Sequence, residues 1–180
     1  MEIFVSQEEI TKQYSIAASL KEMFVSQGRS PKAFIQTYGC QQNEADSEKL
    51  AGLAELMGYR AVSDVRDARL ILVNTCAIRE HAEKKVFSIV GEYKHIKNLH
   101  PDTVIGIGGC MVTQAHRAEK FKLSYPYVNF TFDTGSIHLV PSLVENALAG
   151  KKRSFVIGDE YAITEGLPTV RKTPHSAWLS

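Results

Sequence analysis

Three residues stand apart for the chemistry they could do: Cys40, Cys76 and Cys110, the only cysteines of the chain. Each ends an apolar run and precedes a helical pattern. Ala33-Phe34-Ile35 leads through Thr37-Tyr38-Gly39 into Cys40. Leu70-Ile71-Leu72-Val73-Asn74-Thr75 leads into Cys76, and Thr103-Val104-Ile105-Gly106-Ile107-Gly108-Gly109 into Cys110. Thiols beside helix N-termini meet partial positive charge and free N–H groups, which favour the thiolate. Thiolates bind soft metals as iron–sulfur clusters, zinc or copper. Three protein ligands leave one metal position open, the condition of a site that does chemistry. The plainer alternative is three small apolar side chains at tight turns. Gly39, Gly108 and Gly109 fit close approach to a bulky ligand or ordinary turns.

The elements that must position these thiols follow from periodicity. Residues 7–27 read as a helix, with a Ser6/Glu9 capping box and Ile10, Tyr14, Ala17, Leu20 and Phe24 on one face. Strands are expected at 32–38, 70–74, 103–107 and 127–132, a short one at 59–62, and a fifth core strand at 154–157. Helices are expected at 43–57, 79–99, 111–122 and 136–149. Alternation of this kind predicts an α/β, Rossmann-like three-layer domain with a mostly parallel sheet, preceded by an N-terminal helix and followed by an extended linker. The boundaries are 1–31 for the helical extension, 32–157 for the domain and 158–180 for the linker. Ligands of such sheets bind outside the carboxyl ends of the strands, the edge where all three cysteines fall.

Composition narrows the function classes. The 180 residues are 44% hydrophobic and 23% charged with a net charge of +1. No global field draws the chain to nucleic acid, so any RNA contact is local. No apolar run has the length of a membrane span, and the acidic N-terminus lacks a signal peptide's pattern. The cytoplasm is the expected compartment, where three cysteines are thiols or metal ligands rather than a disulfide framework. Near the cysteines, Asn43 reads as a helix cap and Asp46 as a complement to the helix dipole, with orientation of the site as the sharper alternative. Arg79 and Glu80 begin the helix after Cys76. His81, His116 and His138 rank below the cysteines as ligands. Lys151-Lys152-Arg153 reads as a solvated loop that could touch phosphate.

Thr37-Tyr38-Gly39-Cys40-Gln41-Gln42-Asn43-Glu44-Ala45-Asp46-Ser47-Glu48, Asn74-Thr75-Cys76-Ala77-Ile78-Arg79-Glu80 and Gly108-Gly109-Cys110-Met111, in that order, resemble the N-terminal domain of radical-SAM methylthiotransferases. The similarity covers about residues 33–157 and includes Ile137-His138-Leu139-Val140-Pro141. It implies that Cys40, Cys76 and Cys110 hold an auxiliary 4Fe-4S cluster whose fourth iron binds the transferred sulfur. Asn43, Asp46, Arg79 and Glu80 match motif positions without a fixed role. It further implies a tRNA-modifying transferase that adds a methylthio group to C2 of N6-isopentenyladenosine. A second 4Fe-4S cluster and S-adenosylmethionine are expected on a separate radical-SAM domain, followed by an RNA-binding domain. No cysteine lies beyond Cys110, so the radical-SAM cysteine triplet is missing here. The chain therefore reads as a fragment, inactive alone. Two other readings stay open: a non-catalytic Cys-ligated metal or redox module, and a nucleotide-binding α/β domain with incidental cysteines.

Overall fold

The computed structural model describes residues 3–76, 80–156, 162–163 and 166–171. In chain order the elements are β1 (Ile3–Phe4), α1 (Gln7–Ser26), β2 (Lys32–Tyr38), α2 (Gln41–Leu56), β3 (Arg60–Ala61), β4 (Leu70–Thr75), α3 (Glu80–Leu99), β5 (Val104–Gly109), α4 (Ala115–Ser124), β6 (Phe130–Phe132), α5 (Val140–Leu148), β7 (Ser154–Phe155) and β8 (Ala162–Ile163). Six strands form one all-parallel sheet in the order β3-β2-β4-β5-β6-β7. The chain steps outward from β2 to β3, then returns across β2 to β4. The strand order thus reverses between β2 and β4, the place where doubly wound sheets bind ligands.

The buried strands show why the sheet is covered twice. Along β4, Leu70 and Leu72 face one core, and Ile71 and Val73 face the other. The first core is closed by Leu20 and Phe24 of α1, Leu50 and Leu53 of α2 with Met57 at its C-terminal cap, and Val140 and Val144 of α5. The second is closed by Val86, Val90 and Tyr93 of α3 with Phe121 of α4. Each such side chain contributes about 1.5–3 kcal/mol by leaving water. β5 alternates Ile105 and Ile107 with Gly106 and Gly108. A Cβ on either glycine would lie 2.3 or 2.2 Å from the Phe130 or Phe132 ring, so these rings of β6 fill the space the glycines leave.

α1 docks on α5 and α2 rather than standing free. Only half of its expected capping box forms: Ser6 Oγ accepts from the Glu9 N–H, at 3.2 Å, while Glu9 accepts from Gln13 Nε2, at 2.7 Å. Gln13 is buried, and its Oε1 accepts from the Ser142 N–H, 3.1 Å away in α5. Two expected helices begin as tight 3-10 turns, Cys110–Thr113 and Thr134–Leu139, before α4 and α5 proper. Pro141, which lacks an N–H to donate, sits in the first turn of α5, where none is needed.

The segment after Gly158, expected as an extended linker, makes specific contacts where it is described. β8 pairs in parallel with β1, Ile3 opposite Ala162 and Phe4 opposite Ile163. Residues 166–171 lie along α2: the Val170 N–H donates to the Glu48 carbonyl at 3.0 Å, and Tyr14 Oη donates to the Gly166 carbonyl. Among the described residues no helix is long and apolar enough to cross a membrane.

Candidate metal centre

The register of the sheet brings the three cysteine segments to one line. Tyr38 of β2 lies opposite Thr75 of β4, which lies opposite Gly109 of β5. Neighbouring strands stand about 4.8 Å apart, so the residues that follow this row share one rim. Cys76 and Cys110 come immediately after it and Cys40 two residues after it. All three are free thiols; Cys40 is exposed, Cys110 half-buried and Cys76 buried, a gradient from solvent into the sheet edge.

Cys40 is the N-cap of α2, in extended conformation. The Asn43 backbone N–H points at Cys40 Sγ, while Asn43 Oδ1 accepts from the Cys40 N–H at 3.2 Å. That backbone N–H is the main cause of a Cys40 pKa below the ordinary thiol value, with a smaller contribution from the Cys76 thiol. Cys110 moves the other way: burial pushes its thiol up first, then the negative charge of Cys76, Cys40 and Asp46. The thiols therefore sense one another across the rim, and Cys40 ionises more readily than Cys110.

An amide network fixes this arrangement. Asn43 Nδ2 donates to Asn74 Oδ1 and to the Thr75 carbonyl, both at 3.1 Å. Asn74 Nδ2 donates back to the Asn43 carbonyl at 2.8 Å and to Ser47 Oγ at 3.1 Å. Thr37 Oγ1 donates to Ser47 Oγ at 2.8 Å, and Thr75 Oγ1 to the Gly108 carbonyl at 2.6 Å. The first turn of α2 is thereby latched to the ends of β2 and β4, and β4 to β5. Buried polar groups satisfied in this way hold a single geometry, since breaking one bond strands its partners.

The glycines beside the cysteines serve the protein, not an open ligand space. A Cβ on Gly39 would come 2.0 Å from Asn43 Oδ1. Gly109, at φ +94°, would bring one 2.2 Å from the Thr75 carbonyl. Both allow the close packing that the network needs.

Asn43 thus combines capping with orientation. Asp46 lies in the second turn of α2, too far along for the dipole role expected of it, because that effect is confined to the first turn. Its side chain is buried: Oδ1 accepts from Gln42 Nε2 at 3.2 Å and pairs with Lys49 at 3.6 Å, and Oδ2 has no hydrogen-bond partner. Burial raises its pKa against the opposing pull of Lys49. Arg79 and the side chains of Glu80 and His81 lie outside the described residues. His116 is exposed on α4, and His138 is buried in the turn before α5. Sequence reasoning missed Asn74, Ser47 and Thr37 as positioning residues. The available signal was a polar pair, Asn74-Thr75, ending an otherwise wholly apolar strand. Among the described residues no group of three or more His, Cys, Asp or Glu side chains converges as a single-ion site would require.

Residues 32–133 match the profile of the uncharacterized protein family UPF0004. The chain is also 40% identical over 174 residues to a tRNA-2-methylthio-N(6)-dimethylallyladenosine synthase of Caldicellulosiruptor saccharolyticus, covering 96% of this chain and 36% of that protein. Proteins of the same description from Staphylococcus epidermidis and Staphylococcus haemolyticus are each 40% identical, over 93% and 89% of this chain and 33% and 32% of theirs. The chain spans about a third of the length of these curated relatives. The match embraces the rim with all three cysteines and the amide network that holds it: the chain belongs to the UPF0004 family.

Proposed function

We propose that this chain is the part of a tRNA methylthiotransferase that holds an auxiliary 4Fe-4S cluster on Cys40, Cys76 and Cys110. The observation that supports the reading is the register row Tyr38–Thr75–Gly109, beyond which each of the three cysteines follows. The donor set fits the group: three sulfurs, one already biased toward thiolate, at the N-terminal end of α2, whose free N–H groups offset negative charge. When bound, such a cluster would offer one iron without a protein ligand, a place to hold sulfur. The chain's own residues do the rest. Asn43 stabilises the Cys40 thiolate through its backbone N–H, and Asn74 and Thr75 keep the strand ends at fixed spacing.

The acceptor follows from the relatives' description: the N6-dimethylallyladenosine of tRNA, with S-adenosylmethionine and a second cluster supplied by a separate radical-SAM domain in the same cytoplasmic enzyme. On this reading the 180-residue chain alone leaves tRNA unmodified. Two competing readings are separated differently. A single zinc on the same three thiols would carry no inorganic sulfide, which the test below measures. A phosphate cradle needs open backbone N–H groups, yet the space at Gly39 and Gly109 is taken by Asn43 and Thr75.

The test is anaerobic reconstitution followed by iron and sulfide analysis. The expected result is near-equal iron and sulfide, about four of each per chain, falling sharply in Cys40→Ala, Cys76→Ala and Cys110→Ala. One zinc without sulfide, or unchanged iron in all three variants, overturns the reading.

A further inference from the structure

The opposite edge of the sheet, where the strands begin, is basic, and its two halves differ. Below β2 and β4, cations are matched by carboxylates: Arg29 lies 3.3 Å and Arg69 3.8 Å from Asp102, Lys32 lies 3.3 Å from Asp67, and Arg66 pairs with Asp64. Below β6 and β7 they are not. A shallow depression there is lined by Lys122, Gly150, Lys151, Lys152, Arg153 and Phe155, four cations and no acid. Among the described residues none of these four forms an ion pair.

Arg153 is already committed. Its guanidinium donates to the carbonyls of Val128, Phe121, Lys122 and Tyr125 at 2.6–3.1 Å, closing the C-terminal end of α4. It also lies 4.8 Å from the Phe155 ring centroid, and Lys122 Nζ reaches the same ring at 6.0 Å. Arg153 and Phe155 thus form a fixed platform. Around it Lys122, Lys151 and Lys152 are exposed, and Lys151 Nζ donates to Asn146 Oδ1 at 2.9 Å. Clustered like charges without counter-charges repel one another, and a multiply charged anion relieves that repulsion.

We propose that Lys122, Lys151 and Lys152, set on the Arg153–Phe155 platform, form a surface that grips phosphates of the RNA backbone. The identification of the anion's carrier as RNA rests on the tRNA reading above. β5 has six residues at about 3.3 Å each, so the two edges of the sheet stand about 20 Å apart, a span that a folded RNA arm bridges. It contributes grip and orientation, not base recognition.

The experiment measures binding of a fluorescent anticodon stem–loop RNA to the 180-residue chain across a salt series. Lys151→Glu/Lys152→Glu and Lys122→Glu are expected to weaken binding at least about tenfold, and the salt slope should flatten by roughly 0.7–0.9 per lost contact. Lys94→Glu, an exposed change on α3, is expected to leave both within about twofold, the size of a remote charge effect. Equal losses in Lys94→Glu, or unchanged binding in the double variant, overturn the proposal. So does binding to phosphatidylserine vesicles that the double variant abolishes while RNA binding persists. A cooperative thermal melt shows that each variant is folded, and iron and sulfide loading separates the two readings. Full loading with patch-independent RNA binding sinks this inference alone. Patch-dependent RNA binding with no cluster on any preparation sinks the cluster reading alone.

Discussion

The two ends of the sheet are built from different materials. At the carboxyl end, neutral amides and hydroxyls are buried beneath the thiols, hydrogen-bonded to one another and packed to the limit that Gly39 and Gly109 allow. At the amino end, long charged side chains meet in solvent, with both partners of the Lys32–Asp67 pair more than a third exposed. Buried amide networks incur the full desolvation penalty of the stranded group when one member is removed, whereas exposed ion pairs contribute little. The rim is therefore the rigid end and the basic edge the tolerant one. A site that must hold three sulfurs at fixed spacing needs the first kind of construction; a surface that meets a flexible polyanion can use the second.

The contrast is open to direct attack, most forcefully at the glycines. Gly109→Ala should cost about 3 kcal/mol or more in urea unfolding, since backbone strain is worth 1–3 kcal/mol and a clash with the Thr75 carbonyl adds to it. Gly28→Ala, at the base of α1 with φ +64° and open space around the added carbon, should cost only about 1 kcal/mol. Equal costs would break the comparison. Next comes Asn74→Ala, which strands Asn43 and Ser47; about 2–3 kcal/mol is expected, with loss of iron loading beyond what the fall in stability explains. A change below about 0.5 kcal/mol would mean that the network is ornamental.

Asp46→Asn sharpens the picture with a sign. Burial raises the Asp46 pKa, so ionisation is disfavoured in the folded state. The wild type is then penalised once pH rises past the ordinary carboxylate range, and relieved below it. The asparagine variant should melt higher than wild type at pH 7 and lose that advantage as pH falls below about 4. A variant that is less stable at pH 7 would show the Lys49 pair outweighing burial. The smallest effect is expected at the basic edge: Lys32→Met should change stability by about 0.5 kcal/mol or less, and 1 M salt should erase the difference.

The strands and the common rim were legible because long apolar runs of period-two residues, repeated between helices, leave few arrangements other than a parallel sheet. That Cys40, Cys76 and Cys110 each follow one of three neighbouring strands could be read from that alone. The Asn43–Asn74–Ser47 network could not, because it depends on the register between α2 and β4 and on side chains 27 and 31 residues apart. Asp46 was misread because helix position, not residue type, decides whether a carboxylate meets the dipole. β1 and β8 escaped notice since they pair with each other outside the alternation of strands and helices that marks the main sheet. The 3-10 turns at Cys110 and Thr134 replaced expected helix starts where the chain turns tightly off the sheet.

The contact of residues 166–171 with α2 has a mechanical consequence. A Cβ on Gly52 would fall 2.2 Å from the Pro168 carbonyl, so the bare glycine lets backbone seat directly on backbone in the second half of the helix. α2 is a rod of 16 residues, about 24 Å long, with Cys40 at its tip. Tension on the strap at Pro168 and Val170 is applied near the middle of that rod and carried by it to the sulfur at its end.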